Sequence, residues 1–220
     1  MIVPSDALRK SLEQATSRYQ EQLAGSPAES YLIGRGLTKQ ALDYFRIGYV
    51  HDPDKGHETY AKRISIPYVT KAGVTSMRFR TLNPDSKAKY LDLVGEIPRL
   101  YNPLALTADR TGTKRLFICE GEIDTITCFM AGLNAVGLPG ADKWDKKFSR
   151  IFRGRRVVVL ADNDDDQGND EKDNPGVKLA KQVLRALPGS AMIKMPQGHD
   201  VNSYYQTEGV EALLTWVGVL

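Results

Sequence analysis

The spacing of apolar residues changes twice along this chain. Near the start it follows a helical period: Leu8, Leu12, Ala15, Tyr19 and Leu23 mark an amphipathic helix over 5–23 with Ser5 as its cap. Ser26, Pro27 and Glu29 then supply a cap, a first-turn proline and a capping box for a short helix over 28–33, which Gly34 and Gly36 stop. Thr38 opens a third helix running to Phe45, and 46–50 reads as a short extended segment. Past Arg63 the period falls to two. Residues 64–69 and 74–82 predict antiparallel strands joined by the turn Lys71-Ala72-Gly73. In the second strand Ser76, Arg78 and Arg80 share one face and Met77 and Phe79 the other, and the arginine face is expected to be the exposed one.

After a connector with little pattern, 98–110, uninterrupted apolar blocks alternate with helical patterns. The blocks predict strands at 116–119, 135–138, 156–161 and 191–195; the patterns between them predict helices at 125–133, 144–152, 177–187 and 210–216. Short apolar runs alternating with helices are the signature of an α/β fold with a parallel sheet buried on both faces. The boundary is therefore placed at 111–113, giving a basic, mixed α+β N-terminal subdomain over 1–112 and an α/β domain over 113–220.

Composition changes this picture little, and charge distribution changes it more. With 220 residues, 41% hydrophobic and 26% charged, the chain can bury real cores, and a net charge of +3 settles nothing by itself. Residues 62–89, however, hold seven Lys or Arg against the single acid Asp85, while 162–173 is densely acidic. A basic surface beside an acidic cluster of metal-binding type suits a phosphate-rich partner. The two cysteines, Cys119 in a strand and Cys128 in the next helix, form no CxxC pair, which excludes a structural zinc site and points to a reducing compartment. No signal-type h-region and no apolar run of about 18 residues is present, so a cytoplasmic location without a membrane span is expected.

The candidate chemistry lies at the carboxyl ends of the predicted parallel strands, where open α/β sheets bind ligands. The first strand runs into Glu120-Gly121-Glu122-Ile123-Asp124, the third into Asp162-Asn163-Asp164, and the fourth into Pro196-Gln197-Gly198-His199-Asp200. Glu120, Asp162, Asp164 and Asp200 from three strand ends would repel one another unless neutralised. An all-oxygen set of this kind suits Mg²⁺ or Mn²⁺. Asp124 reads equally as a cap for a helix starting at Thr125, and Glu122 as a partner for that helix's dipole. His199 reads as structural or solvent-exposed rather than as a ligand, and the acids of 165–173 as a solvated loop. No P-loop, GxGxxG or GxSxG motif occurs.

In order and spacing, these three acidic motifs resemble those of the TOPRIM fold as it occurs in bacterial and phage DNA primases. The likeness continues upstream through Tyr31-Leu32-Ile33-Gly34-Arg35-Gly36-Leu37-Thr38 and Phe45-Arg46-Ile47-Gly48-Tyr49. It extends through Arg63-Ile64-Ser65-Ile66-Pro67, Arg78-Phe79-Arg80, Lys87-Ala88-Lys89-Tyr90-Leu91 and Arg99-Leu100-Tyr101-Asn102, spanning about 28–205. The resemblance implies a Rossmann-like TOPRIM domain behind a basic template-binding part, and synthesis of short RNA primers on single-stranded DNA. By it, Asp162, Asp164 and Asp200 bind divalent metal with Asp124 as helper, and Glu120 is the acid or base assisting the attacking hydroxyl. Arg78, Arg80 and Lys89 hold template or ribonucleoside triphosphate, Arg46 and Arg63 assist, and Lys87 and Arg99 belong to the same basic part. Primases of this kind carry a zinc module for which this chain has no cysteines, and here an acidic insertion, 165–174, precedes Pro175-Gly176. A phage- or plasmid-type core is therefore expected, with zinc-binding and helicase functions on separate proteins. A TOPRIM nuclease and a non-catalytic module binding single-stranded DNA or a replication partner are the competing readings; a topoisomerase is the weakest.

Overall fold

A computed structural model of the chain describes residues 4–95, 97–107, 115–140, 144–163 and 174–220. The chain divides into two compact units, Met1–Ile97 and Pro98–Leu220. The boundary expected at 111–113 lies outside the described residues. The supposed connector instead begins the second unit: Tyr101 exchanges both backbone hydrogen bonds with Gly137, at 2.8 Å and 3.1 Å, and Asn102 donates to the Ala135 carbonyl at 2.9 Å.

In the first unit the three expected helices form: α1 (Asp6–Glu21), α2 (Pro27–Gly34) and α3 (Lys39–Tyr44). Ser5, Ser26 and Thr38 each cap as their sequence context predicts, accepting from the backbone N–H three residues on. Glu29 does not close a box onto Ser26, because its carboxylate reaches back to the Gly25 N–H at 2.7 Å. Leu12, Ala15 and Tyr19 of α1 are buried as expected, whereas Leu8 is exposed. The strands β1 (Gly48–Tyr49), β2 (Arg63–Thr70), β3 (Gly73–Thr81) and β4 (Tyr90–Asp92) pair antiparallel in that order. Met77 and Phe79 on one face of β3 pack with Ala15 and Tyr19 of α1, and Tyr60 stacks on Phe79 with centroids 3.8 Å apart.

The second unit is the expected parallel sheet, β5 (Arg115–Cys119), β6 (Ala135–Gly137), β7 (Arg156–Ala161) and β8 (Ala191–Lys194), in the order β6-β5-β7-β8. On one face α5 (Phe148–Phe152) and α6 (Pro175–Ala186) place Phe148, Phe152, Leu179, Ala180 and Val183 on the sheet. On the other face lie α4 (Glu122–Met130) and α7 (Val201–Trp216), contributing Cys128, Val201 and Leu213. Three helix bounds differ from the pattern. α4 begins at Glu122, three residues early, with Gly121 as its N-cap. α5 spans only 148–152, because the Asp145 carboxylate accepts from the Lys147 N–H at 2.8 Å in a side-chain-closed turn before it. α7 begins at Val201 rather than Val210, because Asp200 and Ser203 form a reciprocal capping box; Gly209, at φ 85°, kinks the helix where the apolar pattern resumes.

Candidate active site and basic face

Because β5 and β7 are hydrogen-bonded neighbours, Glu120 and Asp162 leave adjacent strand tips. They are joined directly: the Asp162 N–H donates to Glu120 Oε1 at 3.0 Å. α6 closes over the pair. A Cβ on Gly176 would overlap the Glu120 carboxylate and come within 2.8 Å and 2.9 Å of the Asp162 backbone N and O, so only glycine permits this approach. Asn174 caps the helix, accepting from the Val177 N–H at 3.0 Å.

The end of β7 is tied to the turn after β8. Asn163 N–H donates to the His199 carbonyl at 2.9 Å, Gly198 N–H to the Asn163 carbonyl at 2.8 Å, and the Asn163 amide to the Met195 carbonyl at 3.1 Å. That turn delivers Asp200 to the same edge, where its carboxylate accepts from the Ser203 N–H at 2.6 Å as the cap of α7. His199 is structural, as expected, beside Ser203 Oγ at 3.3 Å and edge-on to Tyr204.

Asp124 does not cap α4. It sits inside the first turn, 7% exposed, and accepts from the Asn202 backbone N–H at 3.0 Å. The Asn202 side chain donates to Thr127 Oγ1 at 2.9 Å, so a buried polar network staples the starts of α4 and α7 together. Glu122, the acid with least expected of it, is fully buried in the first turn of α4. Asn202 and Gly176 are the site residues that periodicity missed. Their available signals were an amide two residues after a capping Asp and a glycine where a helix former was due.

Asp164 and the acids of 165–173 lie outside the described residues. Among the described residues no three His, Cys, Asp or Glu side chains are gathered closely enough to hold a metal ion. The donor chemistry nevertheless fits a hard divalent cation, because the functional groups of this edge are carboxylates on adjacent strand ends. Cys119 is a core thiol: its contact with Cys128, Sγ to Sγ 3.6 Å, and its burial push its pKa well above the ordinary thiol value.

The first unit's basic residues are arranged differently from expectation. The Arg78 and Arg80 face is not exposed: the two residues are 9% and 8% exposed. Arg78 lies over the Tyr90 ring, 4.5 Å from its centroid, and pairs with Asp92 at 2.7 Å. Arg80 donates to the hydroxyls of Tyr90 and Tyr31, each at 2.5 Å. Burial opposes its charge, and the facing oxygens of Tyr90 and Tyr31 more than offset that, raising its pKa. Tyrosine supplies both a π-face and an acceptor, which is why two cations can be covered here. Arg63 donates to the Ala88 carbonyl at 3.1 Å, and Arg46 is turned onto α1, pairing with Glu13 and donating to Ser17 Oγ at 3.0 Å. Lys87 and Lys89 are exposed; Arg99 is half-buried and belongs to the second unit.

The architecture matches solved structures. The RNA polymerase domain of Mycobacterium tuberculosis primase DnaG aligns over 97% of this chain and 83% of its own, with TM-score 0.76 and 18% identity. A DnaG primase catalytic domain bound to single-stranded DNA aligns over 97% and 80%, with TM-score 0.71 and 21% identity. By sequence, the gene 57 protein of Mycobacterium phage D29 is 40% identical over 161 residues, 97% of that protein and 70% of this chain. The chain belongs to the same family as this phage protein, and its fold is that of the DnaG primase catalytic cores. The DNA primase of Haemophilus influenzae is 23% identical over 91% of this chain, and the chain spans 40% of that primase's length. No protein-family model matches the chain. Among the described residues no helix is long and apolar enough to cross a membrane.

Proposed function

We propose that this chain is the RNA-polymerase core of a primase, which copies single-stranded DNA into short RNA primers during phage DNA replication. The observation that carries the reading is the Glu120 carboxylate locked onto the Asp162 N–H at the carboxyl edge of a TOPRIM sheet and closed over by Gly176. Asp162, Asp164 and Asp200, with Asp124 as helper, would hold Mg²⁺ or Mn²⁺. When bound, such ions activate the attacking hydroxyl and neutralise charge on the departing pyrophosphate. Glu120, fixed by the neighbouring strand's backbone, assists removal of the 3′-hydroxyl proton. Arg78 and Arg80, held by tyrosines, and Lys87 and Lys89, exposed beside them, would take phosphates of template and ribonucleoside triphosphates. Arg63 and Arg99 would lend charge to the same substrates. Arg46, bound to α1, would act by holding the first unit together. A separate helicase and a separate zinc-binding module would be its replication partners.

The test is incubation of the full chain with single-stranded DNA, labelled ribonucleotides and Mg²⁺ or Mn²⁺. Short RNA products are expected, falling about 10²- to 10⁴-fold in Glu120→Gln. Metal-dependent cutting of the DNA without synthesis would replace the polymerase reading with a nuclease, and binding with neither activity would leave a recognition module.

A further inference from the structure

The second unit carries a charged surface that the acidic edge does not account for. Between Lys146 and Ser190 the described residues hold nine Lys or Arg and one carboxylate, that of Asp162. Three of the nine, Lys178, Lys181 and Arg185, are exposed on α6 at spacings of three and four, opposite its buried Leu179, Ala180 and Val183. They form one cationic stripe along a helix about 18 Å long. Its first turn rests on Glu120 and Asp162 through Gly176, and its last turn opens onto a cleft of about 280 Å³ at the opposite edge of the sheet. Arg153 and Arg155, from the segment leading into β7, line that cleft with Ser149 and Ser190. Both hydroxyls are committed as donors, Ser149 to the Lys146 carbonyl at 2.5 Å and Ser190 to the Leu187 carbonyl at 2.7 Å. Arg155 is itself held, donating to the Leu106 carbonyl at 3.0 Å, so the donor for an anion in the cleft is Arg153, with Arg155 adding its charge. Arg150 and Arg156, both exposed, are further cations of the same segments.

We propose that α6 and this arginine cleft form a track for a single nucleic-acid strand, leading away from the acidic edge along the second unit. The proposal rests on the polymerase reading, since it needs a strand at that edge to continue onto the helix. A polyphosphate backbone is the occupant that fits. The exposed residues of α6 are Pro175, Lys178, Lys181, Gln182 and Arg185, with no aromatic or large aliphatic anchor of the kind a protein interface centres on. Phosphates, by contrast, need only spaced cations, and guanidinium groups suit them well.

The test is binding of the full chain to labelled single-stranded DNA over a salt series, with Lys181→Gln, Arg185→Gln and Arg153→Gln combined. Neutralising three phosphate contacts should flatten the slope of log affinity against log salt by about 2, and weaken binding about tenfold or more at low salt. The charge-keeping variant Lys181→Arg, Arg185→Lys, Arg153→Lys should retain the parent slope, as should Lys10→Gln with Lys55→Gln, which removes exposed charge from the first unit. An unchanged slope in the neutralised variant while the parent binds and primes would overturn the track and leave the polymerase reading standing. If the parent binds no DNA at all, both fall. A neutralised variant that keeps its DNA slope but loses binding to polyglutamate would overturn the track in favour of an acidic protein partner.

Discussion

The two units solve the problem of placing charge in opposite ways. In the first, Arg78 and Arg80 sit in mid-strand on β3, where neighbouring backbone groups are already committed to the sheet, so their partners must be side chains: Tyr31, Tyr90 and Asp92. In the second, Glu120, Asp124 and Asp200 sit past strand ends or in first helical turns, where backbone N–H groups have no intra-element partner. There the partners are backbone: the N–H groups of Asp162, Asn202 and Ser203. A strand end positions an acid by main-chain geometry, whereas a mid-strand cation depends on what evolution has packed around it.

That contrast can be broken most severely by moving backbone in the second unit. Gly176→Ala drives a methyl into the Glu120 carboxylate and the Asp162 main chain, so primer synthesis should fall about a hundredfold. Stability should fall by about 1–3 kcal/mol in a urea titration. Retained activity would show that the edge tolerates backbone displacement. In the first unit side-chain changes should dominate: Arg80→Leu removes two hydrogen bonds from a buried cation, at a cost of about 1–3 kcal/mol by the same titration. Arg80→Lys, whose ammonium lacks the planar fork that spans both hydroxyls, should recover only part of this. Asn202→Ala should cost about 1 kcal/mol, because it cuts the link to Thr127 but leaves the main-chain bond to Asp124 in place. A loss as large as that of Arg80→Leu would mean that side chains also hold the acidic edge.

The smallest effect concerns His57, whose Nδ1 lies 2.9 Å from the Tyr19 hydroxyl against Tyr60 and Phe79. Burial lowers its pKa, with Asp54 and Glu58 pulling weakly the other way. Above about pH 6.5 both folded and unfolded chains carry it neutral, and its contribution to stability is complete. As pH falls through 6.5 toward the lower folded value, the unfolded chain takes up the proton first, so stability declines. His57→Phe should flatten that part of a stability–pH curve; an undiminished slope would assign the decline to other groups.

Much of this was legible in the sequence, for identifiable reasons. The parallel sheet followed from apolar blocks such as 157–161, and the caps at Ser5, Ser26 and Thr38 from short-range chemistry. The start of α7 was not legible from periodicity, because residues 201–209 carry polar side chains on most faces and the helix is set by the Asp200–Ser203 box. The burial of Arg78 and Arg80 was hidden because alternation says which side chains share a face, not what covers that face. The tyrosines that cover it lie 49 and 10 residues from Arg80 along the chain. Gly176 was equally opaque, since its requirement comes from Glu120 on another strand.

Asn163 and Gly176 together have a consequence for how this protein can vary. The chain leaves the sheet at Asn163, pinned to the turn after β8, and has returned by Gly176, which packs on the main chain of Asp162. The intervening segment thus starts and finishes at neighbouring, independently anchored points. Closing a longer loop between such points costs only about 0.6 kcal/mol per doubling of length. Extra chain length between such points is therefore cheap in closure entropy. For an engineer the two anchors mark a position beside the acidic edge where added length costs little chain entropy.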